Sequence, residues 1–194
     1  MELPNLYKYL WNYFLFLAFL VSIMNSNYLP TVDLGAVKRA HASADYNELY
    51  DLLAQPLHEE LFRRTTFDFL DELSDGQQLL LAYDYVRMQV GQGGFIQFIQ
   101  NGYIGMLPAM IEQLYKTGAD DMAQVMDDVL KVYVLNRDLL GKQTTVEEFA
   151  RLYDELKEFE GIDERFAKFN EQTVKLMLDY AMAHLSEFIA TGPT

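Results

Sequence analysis

The 194-residue chain carries 15 basic and 29 acidic residues, a formal charge of −14, and no cysteine. That charge argues against direct nucleic-acid binding, because phosphates would be repelled, and it makes a basic partner the natural expectation. The absence of cysteine excludes a disulfide framework, a thiolate metal site and a thiol nucleophile and fits a reducing, cytoplasmic location, while 51% hydrophobic content excludes general disorder.

The first segment is the most ambiguous. From Tyr13 to Met24 only Ser22 is polar, and extension back to Leu6 adds Lys8 and Asn12 over roughly twenty residues, enough to span a bilayer. Three readings are open: a membrane anchor or uncleaved signal, an aromatic helix buried in the fold or against a partner, or sequence upstream of a true start at Met24. Lys8 is offset by Glu2, and there is no small-x-small cleavage site. Asn25 to Ala44, with Pro30 and Gly35, reads as a linker holding a turn of helix. Residues 1–45 are thus an apolar N-terminal segment and linker, and residues 46–194 a single all-α domain of six to eight helices.

Helical patterning resumes at Tyr46, Leu49, Tyr50 and Leu53, and Pro56 suits the first position of a further helix facing Leu57, Leu61 and Phe62 to the core. Arg63-Arg64 reads as a solvated face. Ser74 and Gln77 form a capping box, which predicts the start of a helix. From Leu79 onward, Ala82, Tyr83, Val86 and Val90 make one apolar stripe and Leu81, Tyr85 and Met88 a second, leaving Gln78, Asp84 and Arg87 for water. A helix this apolar belongs at the centre of a helical domain. It should stop at Gly91-Gln92-Gly93-Gly94, where glycines permit backbone angles closed to other residues. A short helix then carries Phe95, Phe98 and Ile99 on one face, and Asn101-Gly102 ends it in the left-handed conformation.

Pro108 predicts another helix start and Gly118 its stop, and Asp120 or Asp121 can cap a helix that runs to Gly141 with Met122, Val125, Met126, Val129 and Tyr133 inward. Thr145 and Glu148 make a second capping box, with Phe149, Leu152, Tyr153 and Leu156 as its buried stripe. Gly161 should break that helix and Asp163 cap the last one, in which Phe166, Phe169, Leu176, Met177, Tyr180 and Leu185 face inward.

Little in this chain suggests catalysis. His41, His58 and His184 are far apart and lack metal-site spacing, and His184 reads as a packing histidine on the apolar side of the last helix. Asp71 to Gly76 fails as a calcium loop because Leu73 stands where an oxygen ligand is required. The glycine cluster lacks the lysine and hydroxyl of a phosphate loop and reads as a tight turn. No metal or cofactor is implied. The remaining signal is acidic clustering. Gln143 to Glu164 holds eight carboxylates, including Glu147, Glu148, Asp154, Glu155 and Glu158, against Arg151 and Lys157, and Asp120, Asp121, Asp127 and Asp128 form a second group. Residues three or four apart on a helix sit about 5 to 6 Å from each other, so Asp154, Glu155 and Glu158 are expected to present charge at a phosphate-like spacing. Taken alone, such a run is a solvated helix face.

The run from Asp84 to Tyr103, with Gly93-Gly94-Phe95, a following glutamine and Asn101-Gly102, resembles the core motif of the DNA-mimic protein family. The resemblance extends from about Ser74 to about Phe188 and includes Glu147-Glu148-Phe149; the first sixty or so residues lie outside it. It implies an acidic residue before the Val-x-x-Gly-Gly turn, where Gln89 stands. It also implies an acidic, all-helical, homodimeric protein that occupies the DNA-binding face of a regulator. The competing expectations are an enzyme with a polar pocket below Gly93-Gly94, and a membrane-tethered module held through Leu6 to Met24.

Overall fold

The computed structural model describes residues 28–142 and 144–190. Within them the chain forms eight α-helices and three 3-10 turns, with no strand. The all-α expectation holds, whereas the apolar N-terminal helix lies outside the described residues.

The chain enters through α1 (Leu34–Ala42), whose first turn is closed by the Asp33 carboxylate accepting from the Gly35 amide at 2.7 Å. Read from the sequence as linker with a turn of helix, this segment is a nine-residue helix with Val37 and Ala40 buried in the core. Helix α2 (Tyr46–Arg64) is capped by Asp45 and ends at Thr65 in the left-handed conformation. It runs unbroken through Pro56, which was expected to open a new helix. An interior proline removes one backbone bond and crowds the preceding turn, but Leu53, Ala54 and Leu57 around it are all buried, and that packing keeps the helix in one piece. Its Arg63 and Arg64 pair with Glu60, and Arg64 also with Glu72; Arg63 is on the solvated face expected of both, whereas Arg64 is half-buried and lies over the Phe69 ring at 4.7 Å.

A 3-10 turn (Phe67–Glu72) leads to α3 (Asp75–Gln100), the axis of the domain. Its capping box forms as predicted: Ser74 Oγ accepts from the Gln77 amide at 3.2 Å, and Gln77 Oε1 accepts from the Ser74 amide at 2.9 Å. Tyr83, Phe95, Ile96 and Phe98 are fully buried. Gln78, Asp84 and Arg87 are half-buried rather than in open water, while Met88 is exposed. Gly102 ends the helix left-handed at φ 84°; Asn101 does not share that conformation.

After a second 3-10 turn (Tyr103–Met106), α4 (Leu107–Lys116) carries Pro108 in its first turn and ends before left-handed Gly118. Helix α5 (Asp120–Leu135) starts from the buried Ala119, without a side-chain cap. Asp120 and Asp121 therefore sit in its first turn, where their charge offsets the exposed amides and the helix dipole. Helix α5 stops at Leu135 instead of Gly141, and a single turn, α6 (Arg137–Leu140), follows.

The Thr145 and Glu148 capping box opens α7 (Val146–Glu155), and α8 (Glu158–Ala183) completes the bundle. The break between these helices falls at Leu156-Lys157, because Leu156 turns inward and is buried; α8 then passes through the exposed Gly161, which was expected to be the breaker. His184 lies past the end of α8, exposed and stacked on Tyr180 at 4.2 Å, not on the apolar side. Helices α3 and α8 pack together at the centre, with α2 and α4 against α3 and α5 against α8.

Both ends of the described chain meet at the start of α3. The Gln77 amide, wholly buried, donates to the carbonyls of Tyr28 and Phe188 at 2.9 Å each, Tyr28 N–H donates to Glu72 at 2.8 Å, and Ala190 N–H to Pro30 at 3.0 Å. Gln77 thus serves both as the partner in a helix cap and as the clasp for two chain segments. Gln77→Ala strips three bonds from this buried junction. It should destabilise the domain by about 2 kcal/mol in urea denaturation, the typical cost of stranding buried polar partners; a loss under about 0.5 kcal/mol would show that water replaces the side chain.

Candidate functional site

The sequence motif and the acidic residues lie in two different settings. The motif is a break inside α3. Gly93 takes φ −162° and ψ 29°, and Gly94 takes φ 67° and ψ −174°, a combination essentially closed to residues with a side chain. The helical segment beyond the break begins with an amide that has no partner in its own helix, and α8 supplies one: Phe95 N–H donates to Asp163 Oδ1 at 2.9 Å. Asp163 is therefore a cap, as its sequence context suggested, but for a helix 68 residues earlier rather than for its own. From α7, the Tyr153 hydroxyl donates to the Gly93 carbonyl. A Cβ on Gly94 would run into both the Asp163 carboxylate and the Tyr153 hydroxyl. Burial raises the Asp163 carboxyl above its ordinary value, against the lowering effect of the Phe95 amide. Burial, with the Asp163 charge beside it, pushes the Tyr153 hydroxyl up to about 12.

The other motif residues also have structural partners. Phe95 lies edge-on to Phe98 and Phe166. Asn101 Nδ2 donates to Gln89 Oε1 at 2.5 Å, and Gln97 Nε2 donates to the same oxygen at 3.3 Å. The position where the motif called for an acid therefore accepts two hydrogen bonds and donates none of those described.

Beside Gly94 opens a recess of about 660 Å³, bordered by Asp84, Arg87, Asp163 and Asn170. Asp84 lies 3.1 Å from His58 Nε2 and 3.9 Å from Arg87, and the histidine holds its carboxyl below the ordinary value against the opposing effect of burial. Arg87 also covers the Tyr50 ring at 5.2 Å, and Asn170 Oδ1 accepts from the Tyr83 hydroxyl at 3.1 Å. None of these contacts was visible in the sequence, where His58, Asp84 and Asp163 are separated by 26 and 79 residues.

The acidic residues occupy α5, α7 and the start of α8. Asp120 and Asp121 are exposed, whereas Asp127 and Asp128 are half-buried and bind Lys131 at 2.7 and 3.0 Å. Asp128 also receives Arg165 from α8 at 2.8 Å, a bridge that ties the two acid-bearing helices together. Burial opposes ionisation of Asp128, but hydrogen bonds from Arg165, Lys131 and Gln124 outweigh it and hold the carboxyl below its ordinary value. Glu148 is engaged in its capping box, with the Thr145 amide lowering its carboxyl, and Asp154 lies 3.7 Å from Lys157. Asp120, Asp121, Glu147, Glu155 and Glu158 are exposed and form no ion pair among the described residues. Because α7 ends at Glu155 and α8 begins at Glu158, Asp154, Glu155 and Glu158 do not form the single-helix array expected of them. Helix α7 instead repeats charge over two turns, Glu147 to Asp154 and Glu148 to Glu155, about 10.5 Å along its axis at 1.5 Å per residue.

A family model described as DMP19-like protein matches residues 71–184, from the 3-10 turn before α3 to the end of α8. The chain belongs to the DMP19-like protein family. No curated protein matches the chain. The DMP19-like region contains the helix break and its Asp163 and Tyr153 partners, as well as both groups of carboxylates. It excludes α1 and α2, although Val37, Leu49, Leu53 and Leu57 on those helices are buried in the same body. Among the described residues there is no cluster of three or more His, Asp or Glu able to hold a metal, and no helix long and apolar enough to cross a membrane.

The break yields a paired prediction. Gly94→Ala should destabilise by about 3 kcal/mol, from a forbidden backbone conformation compounded by collision, measured by chemical denaturation. Asp163 carries a raised carboxyl, so the folded state binds more protons than the unfolded chain between the two values, and its contribution to stability falls as pH rises through that window. Asp163→Asn keeps the acceptor for Phe95 and should remove that fall, whereas Asp163→Ala strands the amide and should cost about 1–3 kcal/mol. Identical pH profiles for wild type and Asp163→Asn would refute this assignment.

Proposed function

We propose that this DMP19-like protein is a non-enzymatic, acidic interaction module that binds a basic protein, a DNA-binding regulator above all, by presenting carboxylates where that partner expects phosphates. The observation that carries the reading is a group of exposed carboxylates on α5, α7 and the start of α8, Asp120, Asp121, Glu147, Glu155 and Glu158, that form no ion pair among the described residues, in a chain whose net charge is −14. A basic surface meeting them gains attraction and steering of the kind DNA gives, and loses both as salt rises. The finer claim, mimicry of DNA, draws support from the family and from the two-turn repeat of charge on α7. The homodimer implied by the same resemblance has exposed apolar side chains to draw on, Val134 and Leu135 at the end of α5.

A second reading has one specific observation in its favour. Asp84 and Asp163 line the same recess with their carboxyl groups displaced in opposite directions, a pattern that acid–base sites use. Each already has a structural partner, which is why the interaction reading is preferred.

Affinity capture with the full tagged chain tests the proposal. A DNA-binding protein should be retained at low salt, released at high salt and displaced by duplex DNA. Reversing Glu155→Lys and Glu158→Lys together should weaken capture at least about tenfold, near 1.4 kcal/mol of binding free energy. Undiminished capture by that variant removes the acidic surface from the interaction.

A further inference from the structure

An apolar groove of about 570 Å³ opens between α2, α3 and α4, walled by Leu61, Leu70, Leu81, Tyr85, Met106 and Ala109. Its size is that of a ligand or peptide site, and leaving such a surface to water is unfavourable. Three features indicate what covers it.

First, the chain enters the described domain beside the apolar cluster that supplies one wall of this groove. Tyr28 packs edge-on against Phe69 at 5.0 Å and belongs to the same apolar cluster as Leu61, Leu70 and Leu81. Second, Tyr28 is fixed there by both backbone groups, its N–H on Glu72 and its carbonyl on Gln77. Four residues span at most about 14 Å when extended, so Met24 is tethered within that radius of Tyr28, beside the cluster that walls the groove. Third, the sequence ending at Met24 is as apolar as the groove, with Ser22 the sole polar residue from Tyr13 onward.

We propose that the chain's own N-terminal apolar segment, Leu6 to Met24, occupies this groove. An apolar segment laid into an apolar groove is a recurrent recognition mode, and a covalent link of a few residues raises the local concentration of the occupant far above that of any free competitor. The segment and the groove are then each other's cover in water. This inference does not rest on the acidic-surface reading, and its readouts are independent of any partner.

The chain is well suited to the test, since it has no cysteine and a single tryptophan, Trp11, which lies within the segment. In the full-length protein, Ala109→Cys on the groove rim is paired in turn with Phe16→Cys, Leu17→Cys, Leu20→Cys and Val21→Cys under mild oxidation without detergent. An intrachain disulfide in the monomer, formed by at least one pair, is the expected result. Its absence from all four, or bridges that join only two molecules, overturns the proposal, the latter assigning the groove to a second copy. Trp11 emission gives a readout that does not depend on cysteine. It should be blue-shifted in buffer and move to longer wavelength in Met106→Glu. Emission of water-exposed indole in buffer, shifting to the blue only on addition of phosphatidylcholine–phosphatidylglycerol vesicles, overturns the proposal and assigns the segment to the membrane.

Discussion

The arrangement of this domain depends on one broken helix and the two side chains that hold the break. At Gly94 the central helix gives up its own hydrogen bonding, and the exposed ends are taken over from outside, the Phe95 amide by Asp163 and the Gly93 carbonyl by Tyr153. A buried amide or carbonyl without a partner costs on the order of 1–3 kcal/mol, so the break is stable only when α7 and α8 are in place. The converse also holds: Tyr153 and Asp163 are directed inward from two successive helices because the break gives them partners. The last third of the chain is thus docked on the middle by polar contacts at the centre as well as by the apolar stripes of Phe159, Ile162 and Phe166.

Much of this was legible in the sequence where the signal is local. The two capping boxes, at Ser74 with Gln77 and at Thr145 with Glu148, formed with both reciprocal bonds, since everything they require lies within four residues. Gly94, Gly102 and Gly118 stand where φ is positive, and Pro108 stands where a helix begins. Reading failed wherever a distant contact outweighed a local preference. Pro56 did not divide α2, because the leucines on either side are buried. Gly161 did not end a helix, because the inward turn of Leu156 had already ended it. Residues 34–42 looked like linker because their helix has only two buried positions, Val37 and Ala40. Asp163 was recognised as a capping residue but given the wrong helix, and no property of the sequence near Asp163 points to Phe95.

The acidic sites were legible as composition but not as geometry. That Glu155 and Glu158 belong to different helices depends on a two-residue break, and that Asp128 is tied to Arg165 depends on how α5 packs against α8. The same packing sorts the carboxylates by role. Asp127, Asp128 and Glu148 are occupied with lysine, arginine or a helix cap, so part of the acidic count is ordinary structural bookkeeping. What is left over, on Asp120, Asp121, Glu147, Glu155 and Glu158, has no such use within the described domain.

That surplus has a physical consequence for a chain carrying −14. Exposed ion pairs contribute little, commonly under about 1 kcal/mol each, whereas unpaired like charges repel and oppose compaction. Screening by salt therefore acts on the domain in two opposite senses. It relieves the repulsion among the surface carboxylates and favours the folded state, and it weakens any complex those carboxylates form with a basic surface. A carboxylate kept only for solvation participates in the first effect and not in the second. The two salt dependences together, stability rising while binding falls, separate a surface that is merely charged from one whose charge is used.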